Sequence, residues 1–246
     1  MKTKKMQIFT LFSIITILSF SSITNASSKT AIESLADSQS MASLASQPVS
    51  EDGIIQLRVH KNKKEINVNV IMDQKKINKN SLEKYKKEMP KLFNKLKKDD
   101  YKELPSTITL NNALSFEEFH ALLENYDFEV NRIFVQTQTV DGTLGALTVP
   151  VEDNKISLEK VNSLISGPLK IQINGVYAFE TSLSTRNTDF ENLITNKKVY
   201  LVDISRLEIE NNVKKSKAFK DVLKKDDNIY LDVNVFDFYW ELKNSH

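Results

Sequence analysis

The chain contains no cysteine. That absence excludes thiol catalysis and disulfide stapling, and it leaves no residue after the N-terminal apolar run for lipid attachment through a cysteine. Exported eukaryotic domains usually carry disulfides, so a cysteine-free exported chain points to bacterial export. Histidine is almost as scarce, with three in 246 residues. His60 sits at a strand end and His246 is the last residue, leaving only His120 in an ordered context. Glu117 and Glu124 lie within one helical turn of it and share its face. One Glu-x-x-His pair is half of a di-iron carboxylate signature, which needs two copies and further glutamates on a bundle; the bland reading is a surface histidine beside carboxylates. A Gly-x-Ser-x-Gly elbow, a phosphate-binding glycine loop, a His-Glu-x-x-His helix and an EF-hand loop are all missing. Asp99-Asp100 and Asp226-Asp227 are acidic pairs, each following two lysines at the end of a helical pattern, where a helix-end loop explains them. The inventory points to a protein that is not an enzyme, with no catalytic residue, metal or cofactor assigned. A hydrolase built from scattered carboxylates is the remaining enzymatic alternative.

Long apolar runs are confined to the N-terminus. Lys2, Lys4 and Lys5 precede the 13-residue stretch Ile8–Phe20, and Thr24-Asn25-Ala26 puts small residues before Ser27. This is the order of a secretory signal peptide over residues 1–26. The run is shorter than the roughly 20 residues that cross a bilayer. The expectation is a secreted, extracellular protein, with cell-wall association as the alternative, that meets the membrane only through the signal before cleavage. Residues 27–52, rich in Ser, Ala and Gln and without an aromatic, read as a disordered spacer or pro-region.

The remaining 194 residues, from Gly53 to His246, suffice for one domain or two small ones. Residues 53–104 read as a β-hairpin and a basic helix, and 105–246 as an α+β unit; 53–246 as one domain is the alternative. Ile54–Val59 and Glu65–Met72 alternate apolar and polar residues, as half-buried strands do. Asn80 is a candidate cap, with Glu83 at N3. Beyond it Leu82, Tyr85, Met89, Leu92, Phe93 and Leu96 recur at helical spacing, interrupted or kinked at Pro90. After Pro105 come the strand 106–110, a capping box at Ser115 and Glu118, and a β-rich run from Phe128 to Val140. Asp141-Gly142 signals a type I′ hairpin, and Ser157–Ile165 a short helix. Leu169–Leu183 is again β, with Asn174-Gly175 as either a hairpin or a bulge. A second capping box, Thr188 with Glu191, opens a helix that feeds the continuous apolar run 198–204, read as a strand covered on both faces rather than an edge strand. A helix over 216–224 and a strand over 229–242 finish the chain.

Residues 105–204 thus give two strand–helix–strand units around an inserted hairpin. That order implies a ferredoxin-like, split βαβ antiparallel sheet, preceded by the N-terminal hairpin and lysine-rich helix and extended by the C-terminal helix and strand. The helix, lysine turn and "VYLVD" strand within 190–205 resemble the cadence of subtilase propeptides and related small inhibitors over fewer than twenty residues. The resemblance implies, as a second reading, an inhibitor or folding assistant of an extracellular protease.

Charge is unevenly distributed. Ten lysines against two glutamates between Lys75 and Lys98 make that segment +8, whereas Asp99 onward is −8. Lys84, Lys87, Lys91, Lys95 and Lys98 form the candidate basic surface, suited to an anionic envelope polymer or an acidic protein. The bland reading is a solvated face. Export and the lack of arginine in this segment disfavour nucleic acid. A second candidate is an aromatic face of Phe236, Phe238 and Trp240, alternating along the last predicted strand, against the bland reading that such a row covers a core. The expected protein is a monomer that binds an unknown protein or an anionic envelope polymer.

Overall fold

The computed structural model describes residues 43–48, 55–62, 65–72, 78–152, 155–156, 161, 171–215, 230–235 and 237–244; between 43 and 72 only the backbone is described. The signal segment, most of the spacer and the predicted helices at 157–165 and 216–224 lie outside these residues, apart from Val161, which is helical and buried.

The described residues form an α+β fold with two sheets. One has the order β1 (Ser43–Pro48), β2 (Ile55–Asn62), β3 (Glu65–Met72) and β10 (Tyr230–Asn234). In it β2 pairs antiparallel with β3, and β10 runs parallel beside β3. β1 falls within the stretch read as a spacer, and pairs antiparallel with β2. The larger sheet is antiparallel throughout, in the order β7 (Lys155–Ile156), β6 (Leu144–Glu152), β5 (Val130–Gln138), β8 (Gln172–Ser184), β4 (Glu103–Leu114), β9 (Val199–Asp203). Its helices are α1 (Lys79–Lys98), α2 (Phe116–Leu123), α3 (Asp189–Thr195), α4 (Arg206–Lys215) and α5 (Tyr239–Asn244).

Strand register explains where the core sits. Side chains directly opposite one another share a sheet face. Val202, Ile108, Phe179, Ile133 and Val149 are successive partners across β9, β4, β8, β5 and β6, and none exceeds 1% exposure. Phe119 of α2 packs edge-on to Phe179 with ring centroids 5.2 Å apart, so α2 covers this apolar row. Phe190 of α3 stacks on Phe93 of α1 at 4.2 Å and 2°, joining two helices in the same core. Shifting each of these strands by one residue brings the opposite row, Asp203, Thr107, Glu180, Arg132 and Pro150. One face of the sheet is therefore apolar and the facing row behind it is polar.

The Ser115 box forms as expected, in both directions: the Glu118 N–H donates to Ser115 Oγ and the Ser115 N–H to Glu118 Oε2. Other local expectations are corrected. The α1 cap is Asn78 with Ser81 at N3, two residues earlier than Asn80 with Glu83, and the helix continues through Pro90. Thr188 makes no side-chain cap bond; the Asp189 carboxylate is occupied instead by the Asn187 amide and the Asp127 N–H. The β5–β6 hairpin exists, but its loop spans residues 139–143, with the Gly142 N–H donating to the Thr139 carbonyl. Only Gly142 there has positive φ, whereas a type I′ turn needs two such residues. β9 is the last strand of its sheet, not an inner one, yet all five of its residues are buried, because α1 and α3 pack on it. The predicted strand over 229–242 is β10 followed by α5, and α4 occupies a stretch where no helix was expected.

Asn174-Gly175 is a bulge within one long strand: Gln136 pairs with Gly175 and Thr137 with Ile173, skipping a residue. Gly175 has φ +139°, and a Cβ there would lie 2.3 Å from the Leu114 carbonyl oxygen. A second shift leaves Tyr177 unpaired between Phe134↔Ala178 and Val135↔Val176. Tyr177 and Ala178 accordingly share a satellite cluster with Tyr239, while Val176 and Phe179 belong to the main core. Gly175→Ala is expected to cost about 3 kcal/mol or more, from backbone strain and overpacking against β4. Denaturant unfolding of the variant with a midpoint near that of the native protein would contradict this.

Candidate functional site

The five candidate lysines are all exposed. At about 100° per residue, Lys84, Lys87, Lys91, Lys95 and Lys98 fall within one arc of about 80° on α1. The buried stripe of Leu82, Tyr85, Met89, Leu92, Phe93 and Leu96 lies on the opposite side. The fourteen-residue separation of the end lysines makes a ridge about 21 Å long. Lys95 is tied to Glu208 of α4 at 2.5 Å, and that bond raises its ammonium further above the ordinary range. Lys86 and Lys97 stand apart from the ridge, over the rings of Tyr200 and Phe93 at 4.9 and 5.8 Å. Burial of the apolar stripe is what orients the ridge outward.

The aromatic face is not brought together as an alternating row, because the backbone is helical from Tyr239. Phe236 lies outside the described residues. Phe238 is buried in the main core, edge-on to Tyr85 at 5.3 Å, and its N–H donates to Thr109 Oγ1. Trp240 packs edge-on to Tyr177 at 5.6 Å. His120 is exposed on α2. Among the described residues no group of three or more histidines or carboxylates is arranged to hold a metal ion.

The structure adds a site that strand-by-strand reading does not reveal. The polar row Asp203–Thr107–Glu180–Arg132 floors a cavity of about 40 Å³, flanked by Arg206 at the start of α4 and by Val233–Val235. Strand spacing separates the Asp203 and Glu180 backbones by about 9–10 Å. Asp203 is buried, and burial pushes its carboxyl up. The Tyr85 hydroxyl donates to its Oδ2 at 2.7 Å and lies 3.2 Å from Ser205 Oγ, while the Ser205 N–H donates to Oδ1 at 2.8 Å. Burial and the neighbouring Asp203 carboxylate raise Tyr85 well above its ordinary range, so it stays a neutral donor. Arg132 Nε meets Glu180 Oε2 at 2.5 Å, and Arg206 Nη2 lies 3.7 Å from Asp232.

A third cluster sits where β10 turns into α5. Burial pushes Asp237 up to about 7, with nearby Glu241 and Glu180 adding to the shift and the Tyr239 N–H opposing it. Burial also raises Glu241. After burial, the Asp237 and Glu241 charges help to raise Tyr177, the residue on whose ring Tyr239 of α5 rests. Comparison with family models, curated proteins and solved structures finds no match to this chain.

Two outcomes are expected. Tyr85→Phe removes a donor from a buried carboxylate and should cost about 1–3 kcal/mol, read by denaturant unfolding; a loss below a few tenths would show that the bond contributes nothing. Asp237 has a folded pKa of about 7 against its ordinary 3.8, so its contribution favours the folded state at acid pH. That contribution declines as pH rises through this interval and is constant above it. Thermal midpoints across the window should therefore fall less steeply in Asp237→Asn than in the native protein, and parallel profiles would refute the assignment.

Proposed function

We propose that this chain is a secreted, non-enzymatic binding protein whose α1 ridge docks an anionic polymer of the bacterial envelope. The observation that carries this reading is the placement of five exposed lysines on the side of α1 opposite its buried stripe. A row of cations at successive helical turns, about 5–6 Å apart, complements a polymer with regularly repeating negative charge. It needs no shaped pocket, and no conversion of the ligand is involved. The −8 remainder of the chain would be turned from the polymer by the same field that attracts the ridge.

The core of the larger sheet is read further as ferredoxin-like. The order β9–β4–β8–β5 with α2 following β4 and α3 following β8 supports that reading. The propeptide-like alternative rests on the same order and on the resemblance within 190–205.

The test is retention on purified envelopes as salt is raised. Exposed pairs are screened over about 10 Å at 0.1 M, so release of the native protein should rise steeply between about 0.05 and 0.5 M salt. The fourfold variant Lys84→Gln, Lys87→Gln, Lys91→Gln, Lys98→Gln, which spares the Lys95–Glu208 pair, should be released at the lowest salt with unchanged unfolding. Salt-independent retention, or equal retention of the variant, would sink the polymer reading. Stoichiometric inhibition of a subtilase without envelope retention would replace it with the protease-inhibitor reading.

A further inference from the structure

The cavity over the polar row has an amphoteric lining: Asp203 and Glu180 on one side of the charge balance, Arg132 and Arg206 on the other. Its groups are not exhausted by their contacts within the chain. A carboxylate offers about four acceptor positions, and Tyr85 and Ser205 leave at least one of them on Asp203 unused. No cation pairs with Asp203 among the described residues. Arg132 commits its Nε to Glu180 and keeps its terminal N–H groups, and Arg206 stands at 3.7 Å from Asp232, beyond hydrogen-bonding distance. Asp203, with no cation paired to it among the described residues, and two guanidiniums with spare donors therefore line one small space.

Charge selects what fits. A ligand bearing only a cation meets Arg132 and Arg206, and one bearing only an anion meets Asp203 and Glu180. A group carrying both charges a few ångströms apart satisfies both sets. The cavity accommodates about three waters, enough for an ammonium, one carbon and a carboxylate when the rest of the molecule leaves through the open side. The geometry points to a subsite for the zwitterionic head of an α-amino acid, with the ammonium on Asp203 and the carboxylate on Arg206 and Arg132. The same head occurs on a free amino acid and on a diamino acid residue held in a peptide through its other end. The subsite uses none of the ridge lysines, so its fate and that of the polymer reading are separable.

Thermal unfolding and calorimetric titration of the full chain test it with glycine and with D- and L-alanine. A saturable rise in Tm of a few degrees is expected, with no rise from methylammonium or acetate, alone or mixed. Arg206→Gln, a partly exposed change that leaves the core intact, should weaken binding by roughly 10- to 100-fold. Asp203→Asn should abolish it where that variant folds. A peptide bearing a diamino acid with a free distal head binding more tightly than alanine assigns the peptide-borne source; tighter binding of alanine assigns the free amino acid. Absence of any saturable shift, an equal shift from acetate or methylammonium, or full binding by Arg206→Gln overturns the proposal.

Discussion

The Asp203 carboxylate is the constraint around which this structure is arranged. Removing a carboxylate from water costs several kcal/mol unless donors replace the lost hydration. Here the donors come from Tyr85 on α1 and from Ser205 at the start of α4. The Ser205 donor lies two residues on, at the chain's exit into α4, whereas the Tyr85 donor comes from the lysine-bearing helix far back in the sequence, so the carboxylate ties the edge strand β9 to α1. Tyr85 also packs edge-on to Phe238, which brings the C-terminal segment to the same point.

Everything on either side of that point follows from period two. β9, β4, β8, β5 and β6 place Val202, Ile108, Phe179, Ile133 and Val149 in one row and, a residue away, Asp203, Thr107, Glu180, Arg132 and Pro150 in another. A one-residue slip that exchanges the rows would bring a charge into the apolar row from β9, β8 or β5 (Asp203, Glu180 or Arg132), a cost far larger than a strand pair supplies. The two shifts in β8 are tolerated because each has a use. Gly175 makes room for the Leu114 carbonyl, and Tyr177 is turned to the face where α5 packs.

The elements legible in the sequence were those whose signal is local. The stripe Leu82–Leu96 on α1, with lysines opposite it, needs only the helical period, and the Ser115–Glu118 box needs only residues three apart. The α+β mix and the antiparallel sheet were legible for the same reason. The errors arose where distant partners decide. "NVFDFYW" alternates like a strand, but Phe238 inserts into the core beside Tyr85, and the backbone turns helical to place Tyr239 and Trp240 on Tyr177. Thr188 looked like a cap, but Asp189 is held by Asn187 and by Asp127 across the fold. The apolar run of β9 signals a strand covered on both faces, which it is, but β9 lies at the edge of its sheet, because helices bury a strand as completely as neighbouring strands do.

By itself the sequence determined what depends on neighbours within a turn or two: which helix is amphipathic, where the charge is concentrated, which chemistries the missing cysteine and scarce histidine exclude. It did not determine the polar cavity. Thr107, Arg132, Glu180, Asp203 and Arg206 lie on five elements, and each alone reads as an ordinary residue of a strand or helix end. Strand order and register alone set the four strand residues side by side, with Arg206 following three residues after Asp203, because cross-strand neighbours are fixed by pairing and not by distance along the chain.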